Sequence, residues 1–193
     1  MKAVIFTTRS SYFHKHWRVL INHLDKLGYL ITMVSEIDQN YSSDDFDLSN
    51  EIKIINITVS RSSLNPLTLI KECLSLKKIL AAEKPDIVHS FYLKSSFVSA
   101  IVSLFQKSNY YFHLTGLGYI GNINNQFSGL LIKSILLPFY LSSVLQRGII
   151  LVETEYLKNF IQKKTKISSD KVKIINGVGI DTEKFYAIKD KDL

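Results

Sequence analysis

The chain has 193 residues, of which 46% are hydrophobic and 21% charged, so it is neither disordered nor of low complexity, and one sizeable globular domain is expected. The formal net charge of +7 favours anionic partners, with nucleic acid, an anionic lipid surface and a merely solvated basic face as the alternatives. The single cysteine, Cys73, excludes an intramolecular disulfide and suits a reducing cytosol.

Short apolar runs rich in β-branched and aromatic residues alternate with helical patterns along the chain. Seven strands are predicted, at residues 2–7, 30–35, 52–58, 86–91, 110–114, 148–152 and 171–175. Helices are predicted at residues 17–27, 66–84, 95–106, 127–146 and 155–164, with Asn65 followed by Pro66 at the start of the second and Thr154 as the cap of the last. Nearly continuous apolar strands alternating with helices indicate an α/β fold: a Rossmann-like, doubly wound, mainly parallel sheet with helices on both faces.

Three segments carry patterns that we interpret as structural. Residues 36–51 predict a long solvated loop, so the pair Asp45 and Asp47 is interpreted as solvated acids although it resembles a metal-binding DxD element. Cys73 lies on an apolar helical stripe and is predicted to be core. Residues 134–146 are strongly apolar but contain Pro138 and are too short to span a bilayer, which predicts a buried or membrane-grazing helix.

The segment YYFHLTGLGYIG, residues 110–121, runs from a strand into a glycine turn. Its glycines have GxGxxG spacing, but they follow the fifth predicted strand, asparagines delay the next helix, and no acid follows at the required distance, so a dinucleotide site is not favoured. In open parallel sheets, ligands bind beyond the carboxyl ends of the strands, here residues 7–13, 90–95, 114–122 and 153–156. For His113, ligand contact and structural packing both stay open. The five histidines show no metal-ligand spacing.

Four segments, in order, resemble the N-terminal half of a family 4 glycosyltransferase of the two-domain GT-B architecture, of the bacterial surface-polysaccharide type. They read YFHKHWRVL followed by LDKLGYLITMVS; KPDIVHSFYLKSS; HLTGLGYI; and ILVETEYLKNFI with VKIINGVGIDTEKF. The resemblance implies retaining transfer of a sugar from a nucleotide-sugar substrate, without a cofactor or a required metal. The implied acceptor is a saccharide, often linked to polyprenyl diphosphate, at the cytoplasmic membrane face, with no nucleic acid partner. It therefore implies a cytoplasmic, peripheral protein.

The resemblance also implies site residues. His113 is the candidate catalytic residue, as a polar contact to the reacting sugar. The acceptor-binding candidates, from the loops and from matched positions, are Arg9, Ser10, Ser11, His16, Lys94 (matching a loop lysine), Thr115, Gly116, Leu117, Gly118 and Tyr119. The cleft and linker candidates are Thr154, Asn176 and Gly177.

The domain organisation follows from the same resemblance. Residues 1–186 are expected to form the acceptor-binding domain and residues 187–193 the start of a linker or a tail, with the C-terminal donor-binding domain absent. The isolated chain is therefore expected to be inactive. The alternative is a non-catalytic acceptor-binding or anchoring subunit that meets a separate donor-binding chain; an expressed domain or a truncated reading frame is a third possibility.

Overall fold

In the computed structural model, residues 1–12, 16–38, 52–60, 63, 65–117, 126–175 and 177 are described, and they form one seven-stranded parallel sheet flanked by helices. The strands are β1 (Lys2–Arg9), β2 (Leu30–Glu36), β3 (Lys53–Asn56), β4 (Ile87–Phe91), β5 (Asn109–Leu114), β6 (Gly148–Val152) and β7 (Val172–Ile174). The helices are α1 (Arg18–Lys26), α2 (Pro66–Glu83), α3 (Tyr92–Ser103), α4 (Gln126–Val144) and α5 (Glu155–Thr165). The predicted doubly wound α/β fold is confirmed.

The sheet order β3-β2-β1-β4-β5-β6-β7 contains a reversal between β1 and β4. The chain moves outward from β1 to β3 on one side, then crosses back through α2 and moves outward from β4 to β7 on the other. At the reversal β1 pairs directly with β4, with Ala3 opposite Ile87 and Phe6 opposite Ser90. Loops leaving two such strands diverge at their carboxyl ends, which creates a crevice there.

Two hydrophobic cores hold the helices to the sheet. The larger core lies between one face of the sheet and helices α2–α5. Phe6 and Phe112 of the sheet pack there with Leu76, Val98 and Phe139 of the helices. The smaller core lies on the opposite face, where α1 packs its Ile21 and Leu24 near Ile5 and Met33. Each large apolar side chain buried in this way stabilises the fold by about 1.5–3 kcal/mol.

The helix α2 begins and ends where the sequence indicates. The side chain of Asn65 accepts a hydrogen bond from the Leu67 amide at 2.9 Å, and Pro66 occupies the first turn, where no amide hydrogen is needed. Lys84 ends the helix in the left-handed conformation with φ of 49°, and Pro85 prevents any continuation.

The helix α4 has one buried and one exposed apolar side. Leu136 and Phe139 are fully buried against the sheet, whereas Leu137 is 51% and Val144 is 55% exposed. Pro138 lies inside the helix. Among the described residues, no helix combines the length and apolarity needed to cross a bilayer.

The predicted solvated loop at residues 36–51 is wrong at its start. Glu36 is the last residue of β2, and Asp38 is held by hydrogen bonds to the end of β1, because both strands end at the same edge of the sheet. Residues 39–51, with the Asp45 and Asp47 pair, lie outside the described residues, as do residues 187–193.

Candidate functional site

The segments at the carboxyl edge of the sheet centre on the reversal between β1 and β4. They are the ends of β1 and β6, the start of α3 after β4, and the glycine turn after β5. The glycine segment follows β5 as expected, and the next described element is α4 from Gln126; residues 118–125 lie outside the described residues.

The segment after β1 is fixed by Asp38. Its carboxylate accepts a hydrogen bond from the Ser11 amide at 3.0 Å and forms an ion pair with Arg9 at 3.1 Å, while the Asp38 amide donates to the Ser10 hydroxyl at 2.9 Å. Hydrogen bonds from Ser11 lower the pKa of Asp38, aided by the charge of Arg9 and opposed by burial. Ser10 is fully buried, whereas the Arg9 side chain is 52% exposed and can still meet an anion.

The connection between β4 and α3 is a single sharp turn. Tyr92 has a φ of 67°, a backbone conformation that is costly for a residue with a side chain and that concentrates at functional sites. Because α3 begins at Tyr92 instead of near residue 95, Lys94 lies in the first helical turn and not in a loop, which corrects the prediction.

The Lys94 ammonium points to α2 and the segment that precedes it. It forms an ion pair with Glu72 at 2.8 Å and donates to the Ser63 carbonyl oxygen at 3.0 Å, with only 12% of the Lys94 side chain exposed. The other oxygen of Glu72 accepts a hydrogen bond from the Ser60 amide at 2.8 Å. Lys94 thus ties Ser63 and Glu72 of α2 to α3, and its contact with an acceptor stays a prediction.

Aromatic rings fill the crevice between the ends of β1 and β4. The rings of Trp17 and Phe91 stack with centroids 3.8 Å apart, and those of Tyr12 and Tyr92 lie 5.0 Å apart. Trp17 also meets His113 edge-on at 4.7 Å. His16 is exposed, with its ring 6.1 Å from that of Tyr12.

Two histidines lie beneath these rings on one face of the sheet. His89 on β4 and His113 on β5 have ring centroids 6.0 Å apart. Burial lowers the pKa of His113 to about 4, and burial, aided by the neighbouring His113, lowers that of His89 to about 3. Both rings are therefore neutral at neutral pH. Neither nitrogen of His113, nor Nε2 of His89, has a hydrogen-bond partner among the described residues, and the same holds for Nε1 of Trp17.

An acidic residue from β6 approaches this cluster. Glu153 follows the last residue of β6, and its Oε1 atom lies 3.4 Å from Nε2 of His113. The Glu153 side chain is 27% exposed and that of His113 only 1%, so the carboxylate connects the buried ring to the solvent side of the cleft.

The remaining predicted residues are distributed around the same edge. Thr115 is exposed, Gly116 is half-buried, and Leu117 is buried in the larger core. Thr154 caps α5 by accepting a hydrogen bond from the Leu157 amide at 3.2 Å, as predicted, and Gly177 is exposed with φ of 75°. Gly118, Tyr119 and Asn176 lie outside the described residues.

Metal-ligating side chains and the single cysteine are the remaining candidates for chemistry among the described residues. No group of three metal-ligating side chains occurs among the described residues. Cys73 packs against the larger core, and burial together with the negative charge of Glu72 raises its pKa to about 11, which keeps the thiol protonated.

Sequence reasoning missed four residues of the site: Asp38, Trp17, Tyr92 and Glu153. Trp17 was recognised only as a helix position, Asp38 was assigned to a solvated loop, and the acidity around Thr154 was the only signal for Glu153. Each of these side chains contacts residues that are distant in the sequence, which residue spacing does not reveal.

Comparison with known proteins identifies the family. Residues 2–140 match the model of a family described as glycosyl transferase 4-like. The chain belongs to this family. Within it, the chain is 30% identical over 142 residues to N,N'-diacetylbacillosaminyl-diphospho-undecaprenol alpha-1,3-N-acetylgalactosaminyltransferase of Campylobacter jejuni, a match that covers 71% of the chain and 36% of that protein.

Solved structures share the fold of this glycosyl transferase 4-like chain at low sequence identity. Sucrose-phosphate synthase from Thermosynechococcus elongatus has a TM-score of 0.64 at 14% identity, covering 97% of this chain and 50% of that one. The UDP-GlcNAc 2-epimerase from Neisseria meningitidis has a TM-score of 0.60 at 20% identity, covering 90% and 45%. The chain thus spans half or less of the length of these relatives, and the likeness to the solved structures concerns the fold.

Proposed function

We propose that this chain is the acceptor-binding part of a retaining glycosyltransferase that moves a sugar from a nucleotide-sugar donor to a polyprenyl-diphosphate-linked saccharide. The observation that carries the proposal is the aromatic and histidine cluster of Trp17, His89 and His113, which lies at the strand reversal of a glycosyl transferase 4-like chain. The name of the Campylobacter jejuni relative, whose acceptor is a diphospho-undecaprenol-linked sugar, supports this acceptor class.

The cluster suits a sugar because sugar rings offer both apolar faces and hydroxyl groups. Aromatic rings such as Tyr12 and Trp17 pack against the apolar faces, and unpaired nitrogens of His113 and Trp17 can bond hydroxyls. The half-exposed guanidinium of Arg9 offers charge to a diphosphate. Because His113 is fully enclosed, its contact with a sugar requires the ring of Trp17 to move aside.

We propose further that the donor is held by a second domain of similar size, through helix N-termini and basic side chains and without a required metal. We propose that the protein acts at the cytoplasmic face of an anionic membrane. Exposed leucines of α4, including Leu130 and Leu137, support this location together with the exposed lysines Lys133 and Lys163.

The test of this function is the variant His113→Ala in the full-length enzyme. We expect turnover to fall about 100-fold, because a polar contact to the reacting sugar is lost. The exposed His23 on α1 provides the matched control, and His23→Ala should retain turnover. Near-normal turnover of the His113 variant would contradict the assignment, and turnover of a nucleotide sugar by the purified 193-residue chain alone would contradict the division of roles between two domains.

A further inference from the structure

We propose that Glu153 is a positioning residue for His113: its carboxylate accepts the Nε2 hydrogen of the neutral imidazole and leaves Nδ1 as the hydrogen-bond acceptor. Nδ1 then serves a hydroxyl of the bound saccharide, a step that rests on the proposed function. The placement of the proton itself does not rest on it, because it follows from the contact between the two side chains.

The sheet brings the two residues together. β5 and β6 are parallel neighbours, with His113 opposite Leu151 and Leu114 opposite Val152. Side chains alternate between the faces of a strand, so Glu153 leaves β6 on the same face as Leu151, the face that carries His113. Oε1 of Glu153 consequently lies 3.4 Å from Nε2 of His113. This contact is long for a hydrogen bond, so the proposal requires the partly exposed carboxylate to rotate toward the ring.

The chemistry of the imidazole decides which nitrogen carries the hydrogen. With its pKa lowered to about 4 by burial, His113 is neutral at neutral pH and has one N–H and one lone pair. A carboxylate attracts the N–H and repels the lone pair, so the nitrogen facing Glu153 holds the hydrogen.

The other neighbours of the ring provide no competing anchor. Trp17, Phe91 and His89 contact His113 through their rings, and none of them forms a hydrogen bond with it. A buried polar atom without a partner destabilises the fold, which favours any arrangement that satisfies Nε2. Nδ1 then stays unpaired in the described structure, ready for a hydroxyl donor.

A simpler role for Glu153 is a favourable charge near the N-terminus of α5, where Glu155 lies in the first turn. The two roles are separable because Glu155 is exposed and its carboxylate has no recorded contact with His113. Glu155→Ala therefore removes the same charge from the same helix end and serves as the matched control.

The experiment is nitrogen-15 NMR of the 193-residue chain labelled in its histidine rings, with the His113 signals identified by their loss in His113→Asn. We expect Nε2 to carry the hydrogen in the unmodified chain. In Glu153→Ala the ratio of the Nε2–H to the Nδ1–H form should fall about tenfold, the effect of losing a hydrogen bond to a charged group. Glu153→Gln should also lower this ratio, since the amide lacks the charge and can present either its oxygen or its NH2 group to the ring, and Glu155→Ala should change nothing.

An Nδ1–H form in the unmodified chain, or an unchanged ratio in Glu153→Ala, would overturn the proposal. If Glu153→Ala does not fold, the comparison of the unmodified chain with Glu153→Gln still decides the matter, because an equal ratio in the two proteins contradicts a role of the carboxylate. Failure of the proposed transferase function is seen separately, as normal turnover of the His113→Ala enzyme with the NMR result unaffected.

Discussion

The neutral rings of His89 and His113 pack on one face of the sheet, and their burial makes the stability of the fold depend on pH. The unfolded chain exposes both rings and binds protons at the ordinary pKa of 6.5, whereas the folded chain resists protonation until pH falls to about 3 or 4. Between these values the unfolded state binds more protons, so folding is favoured above the ordinary pKa and loses free energy as pH falls.

We expect the free energy of unfolding to decrease by about 1.4 kcal/mol per pH unit and per buried histidine between about pH 6 and pH 5. His113→Gln and His89→Gln should each remove one such contribution. Urea unfolding of the chain and its variants at several pH values measures the slopes. His23→Gln is the control, since this ring is exposed on α1. Identical slopes in all four proteins would show that the buried rings do not govern the acid response.

Single-residue roles in the site were only partly predictable. His113 was predicted as a site residue because a glycine segment follows it and because HLTGLGYI resembles a glycosyltransferase segment. The structure places its ring beside Trp17 and His89, and its catalytic role stays a prediction. Lys94 matched a family position, but the turn at Tyr92 starts α3 early and directs the ammonium to Glu72. The early start of α3 depends on the positive φ of Tyr92, and the sequence has no glycine at this position that would indicate such a turn.

Among the elements, the contact of β6 with β5 and α4 is the tightest that a glycine makes in the described structure. A Cβ atom added at Gly148 would lie 2.5 Å from the ring of Phe112 and 2.5 Å from the hydroxyl of Ser142. Both neighbours are fully buried, and the Ser142 hydroxyl is hydrogen-bonded to Ser103 at 2.7 Å. The close approach of strand and helix therefore depends on the missing side chain.

Gly148→Ala should lower the free energy of unfolding by about 1–3 kcal/mol, because overpacking forces the neighbours to shift. Gly129, within α4, offers the opposite case, since an added Cβ meets nothing within 4 Å. Gly129→Ala should raise stability by up to about 1 kcal/mol through helix propensity. Denaturant unfolding of both variants measures whether the free energy of unfolding falls for Gly148→Ala and rises for Gly129→Ala. A stabilised Gly148 variant would contradict the packing.

Elements such as α2 and α5 were predictable because local signals mark where they begin. Asn65 and Pro66 start α2 and Thr154 caps α5, as interactions within one turn require. What local signals could not provide is the pairing of elements. The approach of Asp38 to Ser11 and that of Glu153 to His113 both depend on which strands are neighbours in the sheet.

For the molecule as a whole, the helices α2–α5 share one face of the sheet, and the outer side of that layer is apolar and basic. On α4, Leu130, Leu137, Leu141 and Val144 recur at helical spacing and are 38–70% exposed. No acidic residue occurs between residues 126 and 146. A surface of this kind fits the interface of an anionic bilayer, where leucines enter the acyl region and lysines meet the headgroups.

We expect the chain to bind phosphatidylglycerol vesicles at low salt and to bind less at high salt, where charges are screened. Replacing Leu137 and Leu141 together by glutamine should weaken binding at least about tenfold, because burial of each leucine contributes more than 1 kcal/mol. Co-sedimentation measures the change. Val19 and Leu27, exposed in or beside α1 on the other face, give the control double variant. Equal binding of the two double variants would exclude α4 as the contact.

The stack of Trp17 on Phe91 has a practical consequence for the intact molecule. The chain contains one tryptophan, and its ring is only 4% exposed at the edge of the cleft. The tryptophan fluorescence of the chain therefore comes from one site, where the ring of Trp17 meets His113 edge-on. The wavelength and intensity of this emission report, without any attached label, whether the ring stays in its stack or moves toward water when the proposed saccharide acceptor is added. The intrinsic fluorescence of Trp17 can therefore be used to follow changes in the cleft.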